Sequence, residues 1–209
     1  MNDAPQQAGS APQSRGRPRS AETDAKILSA ARKLLAEGGF DAMSFEAIAK
    51  MTGITRATIY RRWPSKFHLV NEVAHRDGSV LPDIIDEQGL RAQIREYVQV
   101  LLNQYTRPEM KGAFAGLVST YQQFPELRDE IKNPLEREGR DYLKNVIEKG
   151  KRQGIVTAST DIDALFDLLV GAVIYRTMFS VVDTKENFKE SLCDILLQGI
   201  EVKPAKAKR

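Results

Sequence analysis

Between residues 21 and 202 the apolar residues recur at steps of three and four, and no sustained period-2 run rich in Val, Ile and Thr interrupts them. Such a rhythm builds amphipathic helices and leaves nothing from which to assemble a sheet, so the expected fold is all-α. An apolar content of 42% supplies a core, and a charged fraction of 28% covers a surface. Cys193 is the single cysteine, so no internal disulfide can form. Without a signal-peptide-like apolar stretch, a reducing, cytoplasmic setting is expected. The longest apolar run, residues 165–174, is broken by Asp167 and falls short of the roughly 18 to 20 residues that a membrane span needs. No membrane association is expected.

Local punctuation divides the rhythm into elements. A first helix is expected over 21–37, with Gly38-Gly39 as its stop. Ser44 precedes Phe45-Glu46-Ala47, where its hydroxyl can accept from the exposed amides of a helix start. Gly53 supplies a left-handed turn after this short second helix, and Thr55 caps a third that Pro64 prevents from continuing unbroken. Two short helices joined by a glycine-containing turn make a helix-turn-helix. Ser65 caps a fourth helix to about residue 76, and longer helices are expected over 90–105, 109–124, 126–150 with a kink at Asn133-Pro134, 161–181 and 185–202. Gly78, Pro82 and Gly89 cluster with acids where the composition shifts. The expected organisation is a disordered tail at 1–14, a helix-turn-helix domain with a basic arm at 15–78, a helical domain at 79–202, and a basic tail at 203–209.

Charge follows the same division. Residues 1–80 hold 12 Lys+Arg and 8 Asp+Glu, residues 81–202 hold 15 and 20, and the tail adds four more cations. A basic end that meets a polyanion fits this asymmetry, and so do two differently charged solvated surfaces. Within the helix-turn-helix, Phe45, Ile48, Ala49, Ile54, Ile59 and Trp63 hold the helices together, which turns Arg56, Ala57, Thr58, Tyr60 and Arg61 outward. That face suits a major groove: Arg56 can donate bidentately to guanine, and the Ala57 methyl can touch a thymine methyl. Thr58, Tyr60 and Lys66, with the helix starts at Ser44 and Thr55, are of the type that positions a protein on phosphates. Whether Arg61 meets a base, a phosphate or nothing stays open. Arg17, within Arg15-Gly16-Arg17-Pro18-Arg19, can lay a guanidinium into a narrow minor groove.

Residues 22–70 carry Ile27-Leu28-Ser29-Ala30-Ala31, Gly38-Gly39-Phe40, Ile48-Ala49, Gly53-Ile54-Thr55, Thr58-Ile59-Tyr60 and Trp63-Pro64-Ser65-Lys66. This combination resembles the DNA-binding domain of TetR-family transcriptional regulators. Met51-Thr52 and Arg61-Arg62-Trp63 depart from the family's usual residues without removing a phosphate anchor. The resemblance implies a homodimer on double-stranded operator DNA, a helical domain at 79–202 that binds ligand and dimerises, and repression relieved by a small-molecule effector. It also implies that the helix of residues 65–76 is the lever between reader and ligand.

The last two helices are apolar around more than one face. Leu165, Leu169, Ile174, Leu192, Ile195 and Leu196 are the candidates for pairing with a second copy, the other reading being burial within one chain. A pocket between the longer helices has Phe114, Leu117, Tyr121, Phe124, Tyr142, Ile174 and Phe179 as candidate lining, each equally at home in a plain core. No cofactor or metal is expected. His68 and His75 lack a neighbouring cysteine or paired carboxylate, and no phosphate-cradling glycine loop or nucleophile elbow is present, so an enzyme is not expected. The open alternatives are a DNA-binding protein without a ligand and a dimeric ligand-binding protein whose helix-turn-helix has degenerated.

Overall fold

A computed structural model describes residues 17–76, 81, 89–130, 134–181 and 185–202, with a few residues at helix ends in backbone only. Among the described residues ten α-helices follow one another: α1 (Arg17–Ala42), α2 (Phe45–Thr52), α3 (Arg56–Tyr60), α4 (Lys66–Arg76), α5 (Leu90–Thr106), α6 (Pro108–Gln123), α7 (Pro125–Glu130), α8 (Pro134–Arg152), α9 (Ile162–Ile174) and α10 (Lys185–Ile200). Among the described residues no strand occurs, only an isolated antiparallel bridge between Val156 and Glu201 that ties the turn after α8 to the end of α10. No described helix is long and apolar enough to cross a membrane.

The local signals act as their chemistry requires. Gly39, at φ 72°, breaks the helical path of α1 near the expected stop. The Ser44 hydroxyl accepts from the Ala47 amide, and the Thr55 hydroxyl accepts from the Thr58 amide. Gly53, also at φ 72°, closes α2 by donating its N–H to the Ala49 carbonyl. Two elements differ from expectation. Helix α1 starts at Arg17, because Pro18 is tolerated in a first helical turn. The stretch expected as one helix over 161–181 is α-helical to Ile174 and widens into a π turn over Tyr175–Phe179. The tails at 1–14 and 203–209, the Gly78 and Pro82 punctuation and the Asn133 kink lie outside the described residues.

Two apolar clusters form. The first joins Ile27, Leu28, Ala31 and Leu35 of α1 to Ile48, Ile59, Trp63 and the buried face of α4, and draws in Met110, Ala113 and Leu117 of α6. The second gathers α5, α8, α9 and α10 around Ile94, Tyr97, Leu143, Ile147, Leu169 and Cys193. Helix α6 approaches α1 so closely that a Cβ at Gly112 would lie 2.0 Å from the Leu35 carbonyl oxygen, and one at Gly116 would lie 2.0 Å from the Phe40 ring. Gly112→Ala is therefore expected to destabilise the protein by about 1 to 3 kcal/mol in urea unfolding, through overpacking. Were α6 not seated there, alanine would instead stabilise it by up to about 1 kcal/mol through helix propensity.

Candidate functional site

Helix α3 has only five residues, too few to be stable alone, so its position is set by what lies beneath and behind it. Ile59 is fully buried under it, and the Tyr60 ring stands edge-on to Phe45 at 4.7 Å between centroids. Arg62 pairs with Asp24 of α1 and donates to the Thr58 carbonyl at 3.2 Å, which fastens the end of α3 to the first helix. Arg62 is thus a supporting residue that the sequence alone did not single out, although the run of two arginines before Trp63 was visible.

With that support Thr55, Arg56, Ala57, Tyr60 and Arg61 are exposed on one side of the molecule, Tyr60 at 48%. The Arg56 guanidinium lies 6.0 Å from the Tyr60 ring centroid, near a π face that holds it over the helix. Ser44 and Thr58 are half-buried and their oxygens serve the caps, Thr58 Oγ1 lying 3.0 Å from Thr55 Oγ1. Lys66 opens α4 with its Nζ 4.0 Å above the Phe40 ring, and burial there holds its pKa below the usual lysine value while Asp41 opposes the shift. Of Arg17 only the backbone is described, and Arg15 and Gly16 lie outside the described residues.

A second feature is a cavity of about 440 Å³ bounded by α5, α8 and α9. Tyr97, Leu101 and Tyr105 of α5 face Phe166, Val170 and Ile174 of α9, with Gln104 at the α4 side and Glu136, Arg140 and Asp167 at the rim. Of the residues expected to line a pocket, Ile174 is the one that lines this cavity. Leu117 belongs to the first cluster, and Tyr121 donates to Asn71 Oδ1 at 3.1 Å and stands edge-on to Phe67, because α6 packs against α1 and α4. Phe124 is 48% exposed. Tyr142 lies behind Tyr97, its hydroxyl donating to the Gln93 carbonyl, while Phe114 and Phe179 meet each other at 6.2 Å. Burial pushes Tyr105 up to about 12 with help from Glu136, and raises Tyr97 as well, so both phenols are neutral at ordinary pH.

The expected pairing face also needs correction. Leu165, Leu169, Leu192 and Leu196 are buried in the chain's own second cluster and offer no surface to a second copy. Ile195 is 69% exposed, and one helical step away from the buried positions Leu168 is exposed at 63%. The apolar faces were wide enough in sequence to serve both purposes, and α5 covers one of them.

Cavity and reader are joined through α4. Gln104 donates to the Ala74 carbonyl at 2.6 Å, and Arg107 donates to the Val73 and Ala74 carbonyls at 3.1 and 3.2 Å and to Gln104 Oε1 at 3.2 Å. These carbonyls belong to the last turn of α4, where no intrahelical donor remains.

Comparison with known proteins places this architecture. Residues 27–73 match the family described as bacterial regulatory proteins, tetR family, and residues 84–196, more than half the chain, match the tetracycline-repressor-like C-terminal domain. The chain belongs to the TetR family. It is 26% identical to the HTH-type transcriptional regulator YdeS of Bacillus subtilis over 91% of this chain and 96% of that protein. It is 25% identical to the DNA-binding transcriptional repressor TetR of Mycobacteroides abscessus over 73% of this chain and 80% of that one. A transcriptional regulator from Saccharomonospora viridis, solved in complex with choline, shares the fold with a TM-score of 0.67 at 21% identity, covering 88% of this chain and all of that one. This TetR-family chain is accordingly a helix-turn-helix transcriptional regulator, not an enzyme.

Proposed function

We propose that the protein binds a palindromic operator as a homodimer, represses the adjoining promoter in the cytoplasm, and is released when a small molecule enters the cavity between α5, α8 and α9. The observation that carries this reading is the exposed α3 face of Arg56, Ala57, Tyr60 and Arg61, built over a buried support and linked through α4 to a cavity. The division follows: residues 15–78 read DNA, with Arg17, Ser44, Thr55, Thr58 and Lys66 assisting, and residues 79–202 bind effector and dimerise. The cavity favours this over a regulator without a ligand, and the choline complex of the similar regulator supports a small molecule as occupant. For dimerisation, Leu168, Gly171 and Tyr175 share one exposed face of α9 and the π turn, and Ile195 and Gly199 share one of α10, with open space above both glycines. A twofold pair of readers about 34 to 36 Å apart reaches successive major grooves.

Selection of bound sequences from a random duplex library at physiological salt tests the reading. Enrichment of an inverted repeat bound by dimers supports it; binding without enrichment refutes it. On the selected operator Arg56→Ala is expected to cost about 1 to 3 kcal/mol and to relax selectivity at one base pair per half-site. Lys66→Ala is expected to weaken operator and random DNA alike and to reduce the salt slope by about one. Gel-shift titrations over a salt series separate the two, and an equal loss on all sequences for Arg56→Ala would remove it from the bases.

A further inference from the structure

The rim of the cavity is built around a cation. Arg140 lies with its guanidinium 4.1 Å from the centroid of Phe166, hydrogen-bonded to Glu136 Oε1, Asp163 Oδ1 and Asp167 Oδ1 at 3.2, 2.9 and 2.8 Å. Three carboxylates thus surround one guanidinium, and two of them, Glu136 and Asp167, line the cavity with it. Deeper in, the rings of Tyr97 and Tyr105 line the cavity, with no cation over either ring and no hydrogen bond to either hydroxyl among the described residues. Gly139 lets α8 approach both rings closely: a Cβ there would come within 2.5 Å of the Tyr97 hydroxyl and 3.2 Å of the Phe166 ring.

We propose that this cavity binds an organic cation, an amine or quaternary ammonium on an apolar body, with its charge toward Glu136 and Asp167 and its body against Tyr97, Tyr105 and Ile174. The inference deepens the effector reading above by naming the chemical class. A carboxylate ligand is disfavoured, because to reach Arg140 it must displace one of three carboxylates and lie beside the other two. A cation meets three carboxylates set around one guanidinium, the rings of Tyr97 and Tyr105, and two phenol oxygens able to accept from an ammonium N–H. At about 30 Å³ per water-sized group, the cavity accommodates a ligand of roughly fifteen such groups.

The test is calorimetric titration of the full-length protein with three aromatic probes of similar size: phenyltrimethylammonium, neutral N,N-dimethylbenzamide and anionic phenylacetate. The cation is expected to bind at least about tenfold more tightly than either other probe. In the Glu136→Gln, Asp167→Asn double variant, altered only at the partly exposed rim, that advantage should vanish and phenylacetate should gain affinity as Arg140 loses its partners. Tighter binding of phenylacetate by the unaltered protein, equal binding of all three, or binding of none would overturn the proposal. Operator binding is measured on the same samples. Release of DNA by a neutral or anionic probe alone would overturn the cation class and keep the effector reading, whereas tight cation binding with unchanged operator affinity would support the class and remove the effector reading.

Discussion

Leu168→Asp is expected to convert the proposed dimer to a monomer at micromolar concentration and to abolish tight binding to a full operator, while binding to a half-site persists. Leu168 is 63% exposed on α9, and two turns further along the same face Tyr175 is 68% exposed. Gly171 lies between them with nothing within 4 Å of where a Cβ would sit. An exposed glycine in a helix with no close neighbour weakens the helix without serving the chain's own packing, and large apolar side chains beside it are the composition of an interface. A twofold axis makes one substitution count twice, since each copy contributes the same patch. Two carboxylates buried without partners are expected to cost roughly 3 kcal/mol or more, about a hundredfold or more in Kd. Analytical ultracentrifugation reads the mass and circular dichroism the helix content, which should be preserved because Leu168 packs against nothing essential within the chain. A dimer that survives Leu168→Asp would move the pairing face elsewhere, with Ile195 of α10 as the next position to test.

The expected pairing face, four of whose residues lie inside the chain, shows how far sequence reaches. The caps at Ser44 and Thr55 and the left-handed Gly53 were legible because each is decided within four residues, by whether a hydroxyl or a missing Cβ is present at a helix end. A three- and four-residue rhythm reports that a helix has an apolar face, but not which neighbour covers it. On α9 that face is nearly continuous, so Leu165 and Leu169 could not be told from Leu168 until α5 was seen to take the first two. The lining of the cavity between α5, α8 and α9 was hidden for the same reason: Leu117 and Tyr121 have pocket-like spacing, yet α6 turns them toward α1 and α4. Gly112 and Gly116, four apart on α6, were the available signal of that close approach. Arg140 had a local trace in Glu136 four residues earlier, but its partners Asp163 and Asp167 come from another helix, and a cavity exists only once three helices are assembled.

Arg107→Ala is expected to separate the two halves of the mechanism. Arg107 is largely buried, faces Glu109 at 3.1 Å, and donates to the Val73 and Ala74 carbonyls that end α4. Removing it leaves the Val73 carbonyl short of a donor, Ala74 with Gln104 alone and Glu109 short of its charge partner, which should lower stability by about 2 to 4 kcal/mol and Tm by about 4 to 16 °C. Lysine restores the charge without the planar fork that reaches two carbonyls and Gln104 together, so Arg107→Lys should recover less than half of the loss. The functional consequence differs from that of a reader mutation. The exposed face of α3 rests on Ile59, Phe45 and the Arg62–Asp24 pair, whereas Arg107 bonds to the last turn of α4, so half-site affinity at a temperature where the variant is folded should stay unchanged. What loosens is the end of α4, and with it the fixed distance between two readers in a dimer. The preference for a palindrome over a single half-site should therefore fall by about tenfold, within the 1 to 3 kcal/mol typical of coupling between sites. Arg56→Ala, by contrast, should weaken palindrome and half-site together. If Arg107→Ala weakens the half-site as much as the palindrome, α4 supports the reader itself and does not set the spacing. If it changes neither, the hydrogen bonds from α5 to α4 are structural only, and the path from cavity to DNA must run through α6, which packs against both α1 and α4.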